Sequence, residues 1–390
     1  MNLPIDLIKS QTLPALFLDV DALNRNLTAI AKRSQGKTIR LATKSIRSLP
    51  LLKYIMKSSQ IYQGVMSYSV EEANWLYAEG IDDILVAYPS TDRHELHKLT
   101  RHMKIGANIT VMVDDDEHLS FLQAIAHGEQ SHFRICIDVD MSTNLNGFHF
   151  GVRRSPLRNT EKVVQFAKGI QNYPNLELVG IMGYEAQLAG VTDYSDHLIK
   201  DFAIKRLKKA SVKHVHTKRQ QVAKALRKDG IELSFINGGG TGSLMTTAQD
   251  DSVTELTVGS GLYQPTLFDH YSSFQYDPAL YFALPVVRKP TSHIYTCLGG
   301  GYVASGAPGK DRLPSPVYPE DAQLLALEGA GEVQTPIHCA STTLAIGDPV
   351  IFRPAKAGEI CERFTSITLI QNNQIVSHVP TYRGEGICFL

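Results

Sequence analysis

The sequence predicts an α/β protein: a TIM (β/α)8 barrel followed by a second, β-rich domain. Three observations predict it. Eight apolar runs recur through the first two thirds of the chain, with amphipathic or turn-rich stretches between them. Polar residues able to do chemistry stand just after those runs. Past about Pro265 the helical patterning fades, and prolines and glycines thicken among short β-like runs.

In chain order, Ala15–Asp19 reads as a strand leading into a helix capped near Asp21. The eight runs follow at Ile39–Thr43, Gln63–Tyr68, Ile84–Tyr88, Ile109–Val113, Phe133–Val139, Leu178–Tyr184, Leu233–Asn237 and Glu255–Val258. They are continuously apolar rather than alternating, as strands of a parallel sheet buried on both faces are. Val70–Gly80 and Asp115–His127 carry helical spacing between them. Eight such repeats over roughly 230 residues match a barrel in number and length, with an open doubly wound sheet as the alternative. The β-rich part reads as strands at Leu284–Val287, His293–Leu298, Leu324–Leu327, Pro349–Phe352, Ser366–Ile370 and Ile375–His378. The expected domains are therefore 12–265 for the barrel and 266–390 for the β-rich part, with residues 1–11 joining the latter.

Composition excludes several classes. The 39 basic and 39 acidic residues balance, so neither nucleic acid nor an anionic membrane is expected as principal partner. No apolar stretch approaches the ~20 residues of a membrane span, and the first residues lack signal-peptide character. Five scattered cysteines without a Cys-x-x-Cys pair fit free thiols in a reducing cytoplasm. Lys205 to Lys228 mixes cations with apolar residues at helical spacing and reads as a solvated helix face.

The chemistry centres on Lys44, which closes the first barrel run. An amine there, if desolvated, has a lowered pKa and is free to attack a carbonyl; otherwise it is an ordinary lysine with its head in water. Asn237-Gly-Gly-Gly-Thr-Gly-Ser243 follows the seventh run, and Gly259-Ser260-Gly261 with Tyr263 follows the eighth. Glycine turns at these two places converge backbone N–H groups on an anion, and barrels frequently hold phosphate there. First and last strands of a closed barrel are neighbours. A lysine within reach of a bound phosphate therefore suggests a phosphorylated aldehyde held as a Schiff base, pyridoxal phosphate being the common one.

The order Lys44, Gly183-Tyr184-Glu185-Ala186-Gln187, Gly238-Gly-Gly-Thr-Gly242 and Gly259-Ser260 with a terminal β domain resembles the fold-type III pyridoxal phosphate enzymes. These are the alanine racemase, D-serine dehydratase and D-threonine aldolase group. The resemblance covers nearly the whole chain. Gly151-Val-Arg-Arg-Ser-Pro156, Gly299–Gly306, Ala355–Glu359 and Pro380–Gly386 are most similar to bacterial proteins named amino acid deaminase/aldolase. It implies that Lys44 holds the cofactor and acts as a base at the substrate Cα. Gly239, Gly240, Thr241, Gly259 and Ser260 would hold the phosphate, with Asn237 in the same turn and Tyr263 assisting. Tyr184 would stand beside the ring or substrate. Arg153 or Arg154 would meet a substrate carboxylate, the alternative being a surface ion pair.

Departures from the group narrow the activity. Racemases carry a tyrosine four residues after the lysine, where this chain has Ser48. They set an arginine against the pyridine nitrogen, where it has Thr257. The lyases hold a divalent metal through a His-x-Cys or His-x-Asp pair. The matching stretch here, Arg353 to Cys361, has no His at the expected place, leaving Glu359 and Cys361, or His338-Cys339, as conceivable ligands. The resemblance thus implies a pyridoxal phosphate-dependent lyase. It would perform aldol cleavage or deamination of a β-hydroxy-D-amino acid, as a cytoplasmic homodimer whose loop Gly299–Gly309 contributes to the site. A racemase is the alternative, and a non-catalytic pyridoxal phosphate carrier a further one.

Overall fold

The first strand, β1 (Ala15–Asp19), stays out of the barrel. A computed structural model describes residues 4–145, 147–195, 197–307 and 309–389. They divide into two units: Ala31–Thr43, Ile55–Val258 and Phe389–Leu390 make one, and Met1–Ile30, Lys44–Tyr54 and Gly259–Cys388 the other. Both cross the expected boundaries at 12 and 265. Apolarity shows that Leu16, Phe17 and Leu18 are buried, but it carries no information about which strand lies beside them.

The first unit is the barrel. Its strands are β2 (Thr38–Ala42), β3 (Tyr62–Ser67), β4 (Ile84–Val86), β5 (Ile109–Val113) and β6 (Phe133–Asp138), then β9 (Leu176–Gly183), β10 (Phe235–Gly238) and β11 (Glu255–Val258). A hairpin of β7 (Thr143–Leu145) and β8 (Phe148–Phe150) lies between β6 and β9. The barrel closes in the order β10-β11-β2-β3-β4-β5-β6-β9 with every pairing parallel. All eight runs read from the sequence contribute a strand. Leu85, Met112, Cys136 and Met182 pack together in the core. Four of the helices between strands begin where a short polar side chain accepts a backbone N–H: Ser69, Asp92, Asp115 and Asn159.

Polar order runs through the barrel as well. The Arg40 guanidinium on β2 meets the Glu255 carboxylate on β11 through two 2.9 Å bonds and Asp83 through a third of 2.9 Å. Glu255 also accepts from Asn237 Nδ2 at 2.8 Å, which ties β10 to the pair. The basic stretch near Lys205 forms a longer helix than expected, Leu198–Lys228, and its face is not wholly solvated: Lys218 and Arg219 are buried.

The second unit is a nine-stranded sheet. Its later strands are β12 (Leu280–Arg288), β13 (Ile294–Leu298), β14 (Ser315–Tyr318), β15 (Ala322–Leu324), β16 (Gln334–Cys339), β17 (Pro349–Arg353), β18 (Ser366–Gln371) and β19 (Gln374–Pro380). The main path runs β15-β16-β13-β12-β1-β18-β19, with β17 joining β12 to β14. β1 pairs antiparallel with β12 and parallel with β18. Two strands, β14 and β16, escape the sequence reading because proline and polar residues interrupt them. The Leu324–Leu327 run is a strand only at its start. Asp19 ends β1, and its carboxylate accepts from the Ala22 N–H at 2.9 Å, so the helix Val20–Arg33 is capped there rather than at Asp21. Ile8, Phe17, Tyr281, Ala283, Ile351 and Ile370 form one core cluster; of the N-terminal dozen, residues 1–3 lie outside the described residues. Among the described residues no helix is long and apolar enough to cross a membrane.

Candidate active site

Lys44 stands two residues beyond β2, inside a single 3-10 turn, Thr43–Ser45. The Thr43 hydroxyl donates to the Met66 carbonyl at 3.0 Å and pins the exit of the strand. The Lys44 side chain is exposed, so the burial expected of a desolvated amine is not found. Its turn is firmly held all the same. Ser45 Oγ lies 2.9 Å from Ser260 Oγ, and Arg47 Nε donates to the Lys44 carbonyl at 3.1 Å. Tyr263 is fully buried with its hydroxyl donating to the Ile46 carbonyl at 3.1 Å, so it braces the lysine segment from behind instead of pointing at a ligand. Ser48, in the racemase tyrosine position, donates to the Pro380 carbonyl at 2.8 Å.

In the barrel unit, β11 lies between β10 and β2, with Leu256 opposite Gly238 and Val258 opposite Leu41. The ends of these three strands are therefore neighbours. The turn after β10 is shaped for backbone approach: Gly239 sits at φ +90°, a conformation side chains rarely adopt. A Cβ on Gly240 would come within 2.9 Å of Ala189 Cβ and 3.2 Å of Tyr184 Cε2. Tyr184 and the glycine turn are thus brought together.

Beneath that turn is a buried charge cluster that sequence reasoning missed. Glu185 accepts from Arg219 Nη2 at 2.8 Å, Ser243 Oγ at 2.7 Å, Gly239 N at 3.3 Å and the Thr247 hydroxyl. Arg219 also donates to Gly183 O at 2.7 Å and to Asp250 at 2.8 Å. Arg219, Glu185 and Asp250 are fully buried. The cluster fixes the ends of β9 and β10 relative to each other. The available signal was Glu185 inside the Gly-Tyr-Glu-Ala-Gln stretch.

Electrostatics single out three more residues. Burial raises the Asp138 carboxyl to about 7, reinforced by Asp114 and Asp140 and opposed by Arg154. Burial likewise lifts the Tyr184 phenol to about 12, with Glu185 and Tyr88 adding and Arg154 again opposing. The Arg154 charge thus bears on both groups. Arg153 and Arg154 are both exposed. Asn237 is buried, and its amide is engaged by Glu255 and by Thr257 Oγ1 at 2.9 Å, so it supports the turn from within.

Within the barrel unit the turn after β10 suits an anion, with a glycine that a Cβ would crowd and the Thr241 and Ser243 hydroxyls beside it; within the other unit Lys44 offers an exposed amine on a fixed turn next to Ser260. The residues do not fit a metal. Cys361 is wholly buried, its thiol pushed up to about 12 by burial, and it donates to the Ile46 carbonyl at 3.6 Å. A thiol so held is not the thiolate a metal needs. The Glu359 carboxylate accepts from Ser305 N at 2.7 Å and Ser305 Oγ at 2.5 Å. Cys339 is buried in β16 with its thiol raised to about 11. Among the described residues no group of three or more His, Cys, Asp or Glu side chains is arranged to hold a metal ion.

The model of the alanine racemase N-terminal domain matches residues 18–266. The chain is 30% identical over 250 residues to a 3-hydroxy-D-aspartate aldolase of Paracoccus denitrificans (strain Pd 1222), a span of 63% of this chain and 59% of that protein. The chain thus spans under two thirds of the length of that curated relative. The solved D-threonine aldolase of Filomicrobium marinum superposes with a TM-score of 0.83 at 19% identity, covering 98% of this chain and 99% of that one. The D-threo-3-hydroxyaspartate dehydratase of Delftia sp. HT23 gives 0.78 at 18%, covering 96% and 98%. These likenesses extend the fold resemblance over 96–98% of the chain. With residues 18–266 matched by its model, the chain belongs to the alanine racemase N-terminal domain family.

Proposed function

We propose that this chain is a pyridoxal phosphate-dependent lyase acting on a D-amino acid that carries a hydroxyl on Cβ, by aldol cleavage or deamination. The observation that carries the reading is the pair of turns leaving neighbouring strands β2 and β11, which present Lys44 and Ser260 and are joined by the Ser45–Ser260 hydrogen bond. The family and the names of the relatives, aldolases and a dehydratase of β-hydroxy-D-amino acids, support it.

Gly239, Gly240 and Thr241 after β10, with Gly259 and Ser260 after β11, would hold the phosphate. Lys44 would hold the aldehyde carbon. Bound there, pyridoxal phosphate supplies an electron sink for a bond broken at the substrate Cα. Tyr184, packed on Gly240, limits where the substrate can lie. Arg154 would donate to the substrate carboxylate, since its charge bears on Asp138 and Tyr184. The Lys44 amine moves the proton at Cα. Thr257, uncharged and hydrogen-bonded to Asn237, stands where racemases set an arginine against the pyridine nitrogen. Ser48, engaged by the Pro380 carbonyl, stands where racemases carry a tyrosine, and that departure favours the lyase over the racemase. The large terminal sheet weighs against a bare carrier. A cytoplasmic homodimer completes the proposal, in keeping with four buried free cysteines, and sedimentation would test the dimer.

Borohydride reduction of the cofactor-loaded protein followed by peptide mapping tests the reading. A label on Lys44 is expected, and an unlabelled chain refutes it. Product analysis on a panel of D- and L-amino acids then separates aldehyde, ammonia with a keto acid, and the opposite enantiomer.

A further inference from the structure

The loop after β17 is clamped against the segment that carries Lys44. Arg47 Nη1 donates to the Glu362 carboxylate at 2.7 Å, and the Cys361 thiol to the Ile46 carbonyl. Gly358 lies so close that a Cβ there would overlap the Lys44 carbonyl oxygen. This loop lies in the stretch Arg353 to Cys361 that the resemblance matches to the metal-ligand region of the lyases, and it presents Lys356.

We propose that Lys356 binds the oxygen on the substrate's β-carbon, supplying with its ammonium the positive charge that a divalent ion supplies in those lyases. The proposal rests on the lyase reading above and names one contact within it. Lys356 is half-buried, and its Nζ donates to Ser305 Oγ at 3.1 Å; Ser305 in turn donates twice to Glu359, which fixes the amine's direction. The charges around it are Glu359 and Asp311 against Arg312 and Lys44. Burial, with the two cations, lowers its pKa despite the two carboxylates. Two cations thus offset the two carboxylates about this half-buried ammonium, and an oxygen bearing negative charge would add counter-charge.

The test is a spectroscopic titration of the cofactor-loaded protein with D-threonine and with D-2-aminobutyrate, which lacks only the hydroxyl. Lys356→Gln should lose about 10- to 100-fold in D-threonine affinity, the value of a hydrogen bond to a charged group, with D-2-aminobutyrate little changed. Lys356→Arg should retain part of the preference. The wild-type preference should also survive dialysis against a chelator. An unaltered preference in Lys356→Gln overturns the proposal. So does a preference that disappears on chelation and returns with manganese. Borohydride labelling keeps the two readings apart: no label on Lys44 of the wild type defeats the lyase reading, whereas a labelled Lys44 with an indifferent Lys356 defeats only this one.

Discussion

Ser45 Oγ and Ser260 Oγ sit 2.9 Å apart, and that one bond joins the turn of the candidate cofactor lysine to the turn of the candidate phosphate loop. Each hydroxyl follows an apolar strand, and the strands are parallel neighbours. Ser45→Ala should loosen the lysine turn without touching the phosphate directly. A single hydrogen bond contributes about 1 kcal/mol, so the cofactor dissociation constant should rise roughly three- to tenfold. Absorbance titration with pyridoxal phosphate measures it, and an unchanged constant would remove the bond from the site's architecture.

Gly240→Ala tests the cradle. The new methyl would stand 2.9 Å from Ala189 Cβ and 3.2 Å from Tyr184 Cε2, too close for either to stay in place. Overpacking of this kind costs about 1–3 kcal/mol. The variant should fold, bind pyridoxal phosphate at least tenfold more weakly, and recover partly when Ala189→Gly is added. Calorimetric titration of both variants decides it.

Arg219→Met should be severe although Arg219 touches no ligand. It would leave Glu185 and Asp250 as unpaired carboxylates inside the barrel unit. Removing one partner of a buried pair costs about 3–5 kcal/mol. Denaturant melts should show that loss, and Arg219→Met with Glu185→Leu and Asp250→Asn should regain some of it.

Asp138 makes stability depend on pH. Its folded pKa, about 7, lies above its ordinary 3.8, so the fold prefers the protonated form. The stability this contributes is fully present below pH 4 and is lost as pH rises through 7. Asp138→Asn removes the titration. Relative to wild type it should gain about 2–4 kcal/mol between pH 4 and 8, measured by denaturation at each pH. A gap that stays constant with pH would exclude the shift.

The barrel was legible because strands buried on both faces leave continuous apolar runs, and each of the eight did so. Lys44 and the glycine turns were legible because barrel chemistry gathers at strand ends. Arg219 was not. Helical spacing sorts a helix into faces, yet it cannot show that one cation on the basic face has two carboxylate partners, Glu185 and Asp250, elsewhere in the chain. The partner of Tyr263 was hidden for a similar reason: its place after β11 suggests a ligand, and spacing cannot show that its hydroxyl donates to the Ile46 carbonyl. β14 and β16 were hidden by Pro316 and Pro336, which break the apolar pattern without ending the strand.

The position of β1 has a consequence for how the chain is made. Ala15 pairs with Ala283 on one side while Leu16 pairs with Ile367 on the other, so this early strand fills a slot between two late ones. On the ribosome it emerges long before either neighbour exists, and its apolar Leu16, Phe17 and Leu18 must wait exposed or shielded by a chaperone. The terminal sheet is therefore the last part to close. A ribosome stalled just before β12 should carry a finished barrel and an N-terminal strand still open to proteases.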